Sequence, residues 1–248
     1  GLIRMRTHWW GILGLIGWAY LVAATIYLLL RKRVELIALA IPLLYALYLA
    51  DKAGGLSALR IIDRRVDIGP MLGSHAAMTL AGVLHGIMLK PGSPLDTPKE
   101  RVLWALGYGT LFALAGVLLH SLATNYTNNA PYQNPWIYNK NAATIPWCLV
   151  STAWTVWAWT AVYLLVYVAK IDSWTKLVGP AGESPLFAYV LAPGVYAAFG
   201  TLALLIGMNP YAKLNDWLAA GLLRAALFGF FVTWLVGSLR KRGIFMKL

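Results

Sequence analysis

Seven long runs of apolar residues divide this chain of 248 residues and decide what it can fold into. A helix needs about 20 apolar residues to cross the hydrocarbon core of a bilayer. A membrane β-barrel would need short strands of alternating polarity, whereas these runs are continuously apolar. The sequence therefore predicts an all-α fold, a polytopic transmembrane helical bundle of about seven spans in a single transmembrane domain over 1–248. The predicted spans are 9–30, 34–50, 73–90, 101–121, 144–169, 184–207 and 216–239.

The composition and charge of the chain indicate a protein in contact with lipid. Hydrophobic residues make up 60% of the chain and charged residues 12%, which excludes an ordinary soluble domain. There are 21 Lys and Arg residues against 9 Asp and Glu residues. In a membrane protein such an excess holds loops against anionic lipid, so the expected partner is the lipid bilayer and not nucleic acid.

The basic residues also predict the orientation, since the cytoplasmic loops carry more of them. Twelve fall on one face of the predicted bundle, namely Arg31, Lys32, Arg33, Lys90, Lys99, Arg101, Lys170, Lys176, Arg240, Lys241, Arg242 and Lys247. Eight fall on the other, namely Arg4, Arg6, Lys52, Arg60, Arg64, Arg65, Lys140 and Lys213. We expect an integral protein of an inner or plasma membrane with a cytoplasmic C-terminus. Gly1 would then lie outside, as expected if an even number of helices preceded it.

Three histidines are the candidates for chemistry at membrane depth, where polar residues are costly and often functional. His75 opens the third predicted span, His85 follows ten residues later, and His120 ends the fourth span, so His75 and His120 could approach one another. Each could bond to the backbone, contact a substrate, or hold a haem or another pigment. The spacing predicts no metal site, and the single cysteine, Cys148, excludes a four-cysteine cluster within the chain.

The segment 124–146 is rich in amides and aromatic residues, and Lys140 is its only charge. Such a mixture suits a sugar or another polar ligand, and it equally suits a loop that must satisfy its own backbone. The predicted substrate-side residues are His75, His120, Asn139, Lys140 and Asn141. Within the last span, Arg224 has Asp216 two turns before it as its expected partner.

Two basic clusters lie on the predicted cytoplasmic face. They could bind phosphate groups, or they could only set the topology. No phosphate-binding loop or dinucleotide-binding glycine pattern occurs, so a nucleotide hydrolase or a Rossmann enzyme is not indicated. The cluster residues are Arg31, Lys32, Arg33, Lys99 and Arg101.

Four segments together resemble one family of membrane enzymes. W-W-G-I-L-G-L-I-G-W-A-Y-L follows Arg6, and G-S-H-A-A-M-T-L-A-G-V-L-H-G begins at Gly73. Tyr138-Asn139-Lys140 precedes T-I-P, and G-E-S-P-L-F-A-Y begins at Gly182. Their order and spacing are similar to those of the membrane acetyltransferases related to heparan-α-glucosaminide N-acetyltransferase, which has many bacterial members.

This resemblance implies about eleven helices, of which the chain would supply the last seven. It also implies acetyl transfer from cytosolic acetyl-CoA, the co-substrate, to an amino sugar on the far side. The catalytic histidine of the family lies in an N-terminal motif that is absent here, so the resemblance assigns no catalytic residue to this chain.

The expected function is therefore that of the C-terminal part, or a shortened relative, of such an acetyltransferase. The alternative is a non-catalytic membrane subunit that packs in a larger complex and is associated with a pigment or a haem. A transporter is a third class, although no ion-site carboxylates lie within the spans.

Overall fold

The structure is a computed structural model that describes residues 11–59, 66–125, 134–207 and 218–244. Its helices form two compact units, one within 1–164 and the other within 165–248. The eight α-helices of the described residues are α1 (Ile12–Leu30), α2 (Val34–Lys52), α3 (His75–Leu89), α4 (Pro98–Ser121), α5 (Ile145–Tyr163), α6 (Thr175–Glu183), α7 (Pro185–Ile206) and α8 (Leu218–Lys241). A π-helical turn, Ile68–Ser74, leads directly into α3, and another, Leu164–Val168, follows α5.

All of these helices except α6 belong to segments that are long and apolar enough to span a membrane, which confirms the seven predicted spans. Helix α3 reaches this length together with the π-helical turn before it, over Ile68–Leu89. The chain is an all-α, multi-pass integral membrane protein, and its described residues contain no β-strand. The second span is a continuous helix through Pro42. The identity of the membrane, the side of the C-terminus and the single-domain organisation stay predictions.

Some sequence-based expectations fall outside the described residues. They concern the first residues of the first and last predicted spans, the middle of the segment 124–146, the partner expected for Arg224, and part of both predicted basic faces. These residues are 9–10, 216–217, 126–133, Asp216, Arg4, Arg6, Arg60, Arg64, Arg65, Lys213 and Lys247.

In the first unit, close packing depends on small residues. Helix α2 lies against the first π-helical turn and α3, while α4 lies along α5. A Cβ at Gly73 would stand 3.0 Å from the carbonyl oxygen of Leu44, and one at Gly116 would stand 2.7 Å from Cγ2 of Val150. Because lipid gives little hydrophobic drive for helices to associate, such close approaches supply the packing.

The connections give the first unit two ends. One end carries the turn at 31–33 and the segment 90–97, and we call it the basic end because it holds the predicted phosphate-binding residues. The other carries the end of α2, the start of α3 and the segment 134–144, and we call it the loop end. A capping box fixes the start of α4, since Thr97 Oγ1 accepts a hydrogen bond from the Glu100 amide at 3.2 Å and the Glu100 carboxylate accepts one from the Thr97 amide at 2.9 Å.

The second unit consists of α6, α7 and α8. Helix α8 packs on both of the others, and the rings of Tyr196 and Phe228 stack with their centroids 4.2 Å apart. Arg240 near the end of α8 forms an ion pair with Glu183 at the end of α6. The sequence predicts a connection between spans in the α6 region, so this short helix is an addition to the predicted elements.

Candidate functional site

His75 is held by the π-helical turn that precedes it at the loop end. The Nδ1 atom of His75 lies 2.8 Å from the carbonyl oxygen of Pro70. A carbonyl oxygen can only accept, so Nδ1 must carry the proton of a neutral imidazole ring. The lone pair is then on Nε2, which bonds to no described residue. This arrangement fixes both the orientation of the ring and the nitrogen that is free to accept a proton.

The surroundings of His75 combine a nearly buried ring with an aromatic neighbour. The His75 side chain is 9% exposed, and its ring centroid lies 6.4 Å from that of Trp147 at the start of α5. The Thr79 hydroxyl donates to the His75 carbonyl oxygen at 2.9 Å. An irregular π-helical turn in a membrane helix is common at functional sites, and here it places an imidazole beside an indole at one end of the bundle.

The segment 134–144 satisfies much of its own backbone. The Asn139 side-chain oxygen accepts hydrogen bonds from the amides of Asn141 and Ala142 at 2.9 and 3.1 Å. The Thr144 hydroxyl donates to the Ile137 carbonyl oxygen at 2.6 Å. The Asn139 oxygen is therefore a structural group, which favours the interpretation of this segment as a self-satisfied loop. The side chains of Lys140 and Asn141 are exposed.

His120 fastens the same segment to the end of α4. Its Nδ1 atom lies 2.9 Å from the Trp136 carbonyl oxygen, and its ring stacks on Tyr138 with centroids 4.0 Å apart. His75 and His120 both lie at the loop end, but no ring contact joins them among the described residues. These two contacts indicate that His120 holds the segment 134–144 in position.

His85 differs from the other two histidines because neither of its ring nitrogens has a hydrogen-bond partner among the described residues. Its side chain is 8% exposed. Its ring stacks on Tyr108 of α4 at 5.7 Å and meets the edge of Trp159 of α5 at 5.1 Å. Both ring nitrogens are shielded from solvent within this aromatic cluster.

The predicted phosphate-binding residues belong to two connections at the basic end. Arg31, Lys32, Arg33 and Lys99 are exposed, and Arg101 is half-buried. Arg101 Nε donates to the Leu95 carbonyl oxygen at 3.0 Å, so this side chain also stabilises the connection between α3 and α4. The exposed cations of this set can bind the phosphates of a ligand from solution.

The described residues contain no group of three side chains suited to holding a metal ion. In comparisons with protein families, curated proteins and solved structures, nothing matches this chain. The resemblance to the membrane acetyltransferases thus stays a prediction from the motifs. Among the predicted substrate-side residues, His75 and His120 are both oriented by a bond from Nδ1 to a carbonyl oxygen. His75 is the one that is nearly buried and lies beside an indole, whereas His120 holds the loop to the end of α4.

Proposed function

We propose that this chain forms part of a membrane acetyltransferase, in which His75 is the general base for the amino-sugar acceptor. One observation carries the proposal: His75 is anchored through Nδ1 to Pro70 and keeps Nε2 free at one end of the bundle. An oriented neutral imidazole is the commonest general base in proteins. Trp147 beside it offers an apolar face of the kind on which sugar rings pack.

A single base is sufficient for the proposed acetyl transfer, because the proton it takes from the amine is returned to the leaving thiolate. Nε2 of His75 takes a proton from the acceptor amine while the amine nitrogen forms a bond to the acetyl carbonyl carbon. The carbon–sulfur bond of acetyl-CoA then breaks, and the thiolate leaves with the proton that His75 returns. The products are the N-acetylated sugar and free CoA, and the histidine ends the cycle neutral.

The basic end carries cations that support binding of the acetyl-CoA donor from the other side of the membrane. Lys99 and the residues at 31–33 are exposed cations that suit the phosphates of CoA. Ten residues of helix separate His75 from His85, which corresponds to about 15 Å along α3. The carrier arm of the donor would therefore have to extend through the bundle to deliver its acetyl group near His75.

The test is the substitution His75→Asn, because an asparagine amide can still donate to Pro70 but has no basic nitrogen. Acetyl transfer from radiolabelled acetyl-CoA to glucosamine is measured in vesicles prepared from the native membrane. In this variant the rate should fall about a hundredfold. The control is His85→Phe, which changes a residue enclosed in the aromatic cluster and should keep the wild-type rate.

A wild-type rate in the His75→Asn variant would overturn the assignment. A wild-type protein that transfers no acetyl group, whatever the amine offered, would favour the alternative of a non-catalytic membrane subunit. The exposed apolar helices of the described residues suit lipid and a protein partner equally, so no structural feature singles out the subunit role.

A further inference from the structure

A cleft of about 370 Å³ opens in the second unit between α6 and the end of α8. Pro180 and Glu183 line it from α6, and Gly237, Arg240 and Lys241 line it from α8. The helices approach closely at Gly237, where a Cβ would stand 3.2 Å from Cβ and Cγ of Pro180. Arg240 and Lys241 follow one helical turn later, so both cations border the cleft beside this close contact.

The charges of the cleft favour an anion. Two cations line it against one carboxylate, that of Glu183. Arg240 donates to this carboxylate through Nη1, and its other N–H donors bond to no described residue. Lys241 is exposed and also has no bonded partner among the described residues. The ion pair therefore holds the guanidinium in place, while Lys241 supplies a charge that no carboxylate compensates.

The position of the cleft indicates which anion is available. Helix α7, a candidate span, begins at Pro185 directly after α6, and the candidate span of α8 ends at Lys241. The ends of spanning helices lie at the level of the lipid head groups. The sequence also predicts that Arg240 and Lys241 lie on the cytoplasmic face, whose leaflet carries the anionic lipids. The phosphate groups at this depth belong to lipids.

Helix α6 has the character of a helix that lies in this interface. Trp174, Leu177 and Val178 are exposed and share one face of the helix. Pro180 and Glu183 lie on the opposite side, towards α8. A short amphipathic helix of this kind buries its apolar face at the boundary between head groups and acyl chains. The cleft on its other side is then held at head-group depth.

We propose that the cleft between α6 and α8 binds the phosphate group of an anionic membrane lipid, with Arg240 and Lys241 as the donors. Glu183 positions the guanidinium of Arg240 for this contact. The acyl chains would enter the bilayer along α8 past Trp234, which is exposed and lies one turn before Gly237 on the same face. This site belongs to the second unit and does not rest on the proposed acetyl transfer.

Native mass spectrometry of the purified full chain measures this binding directly. The probe is dioleoyl phosphatidic acid, and dioleoyl phosphatidylcholine, which has the same chains but no net charge, is the comparison. Phosphatidic acid should bind about tenfold more tightly, since charge-assisted hydrogen bonds hold its phosphate. Equal affinities for the two lipids would overturn the proposal. Inorganic phosphate in millimolar excess should leave the lipid bound, and its displacement would assign the cleft to a soluble phosphate instead.

Substitutions locate the bound lipid on the chain. Lys241→Gln should weaken phosphatidic acid binding about tenfold at an unchanged melting temperature, because Lys241 has no bonded partner among the described residues. Lys241→Arg keeps the charge and should bind like the wild type. The matched control is Lys176→Gln, which removes an exposed charge of α6 that does not line the cleft. Unchanged affinity in Lys241→Gln, or an equal loss in Lys176→Gln, would overturn the proposal.

Discussion

His75 and His85 lie on the same helix of the first unit, but their surroundings differ. His75 donates from Nδ1 to Pro70 and keeps Nε2 free at the loop end. His85 has no hydrogen bond from either nitrogen to a described residue and is enclosed by Tyr108 and Trp159. A general base needs a fixed tautomer and an accessible lone pair, and His75 alone of the two has both.

The different surroundings of these two histidines show that burial alone does not indicate a reactive site. The two side chains are almost equally buried, at 9% and 8% exposure. What separates them is the local backbone, because the π-helical turn offers His75 a carbonyl oxygen that regular helix does not offer His85. We therefore expect the two residues to respond differently to the same substitution.

The largest expected effect concerns the two ends of the unit. The substitutions Lys140→Cys at the loop end and Lys99→Cys at the basic end place a cysteine at two exposed positions. A membrane-impermeant maleimide should label them from opposite sides of sealed vesicles, with Cys148 silent because it is fully buried. Labelling of both cysteines from the same side would contradict this arrangement, since His75 and His85 would then not lie towards different sides of the membrane.

The next effect is on stability. His75→Leu removes the hydrogen bond to Pro70 and should lower the free energy of unfolding by about 1 kcal/mol. His85→Leu removes a buried polar ring that has no partner, so this variant should be as stable as the wild type or more stable. Thermal unfolding in one detergent compares them, and a clear loss of stability in His85→Leu would reveal a partner for this ring.

Two buried tyrosines of the first unit give a smaller effect. Tyr108→Phe removes the hydrogen bond to Ala81 and should cost about 1 kcal/mol of unfolding free energy. Tyr45→Phe removes a buried hydroxyl without a described partner, so it should leave the free energy of unfolding unchanged or raise it. Chemical unfolding of both variants checks this, and equal losses would mean that Tyr45 has a partner inside the protein.

The smallest expected effect is at Lys140. Its side chain is exposed, and no described residue accepts a hydrogen bond from it. Lys140→Met should therefore leave the melting temperature unchanged. Weaker binding of glucosamine at unchanged stability would extend the His75 site to this lysine, whereas a lower melting temperature would identify a structural lysine.

The sequence predicts the spanning helices well because length and apolarity are local properties. It is less accurate for the start of the third span, which was expected at residue 73 and begins as a π-helical turn at Ile68. Gly69 and Pro70 are typical of a break, yet proline is tolerated where a helix begins. Helix α6 was missed because it has nine residues, two glycines and a proline.

The candidate site is less predictable because it depends on contacts between helices. The histidines are visible in the sequence as costly polar residues, but the carbonyl oxygen that orients His75 comes from an irregular turn. The ring of His85 is enclosed by residues of α4 and α5, and no spacing along α3 indicates them. Asn139 looked like a ligand-binding amide, although its oxygen is used by the loop itself.

The measurement that tests the central claim most directly is the tautomer of His75. Nitrogen NMR of protein labelled with ¹⁵N-histidine, in lipid nanodiscs at neutral pH, distinguishes a protonated ring nitrogen from one with a lone pair. The signal is assigned by its loss in His75→Asn. We predict a proton on Nδ1 and a lone pair on Nε2, whereas a proton on Nε2 with a bare Nδ1 would contradict the account.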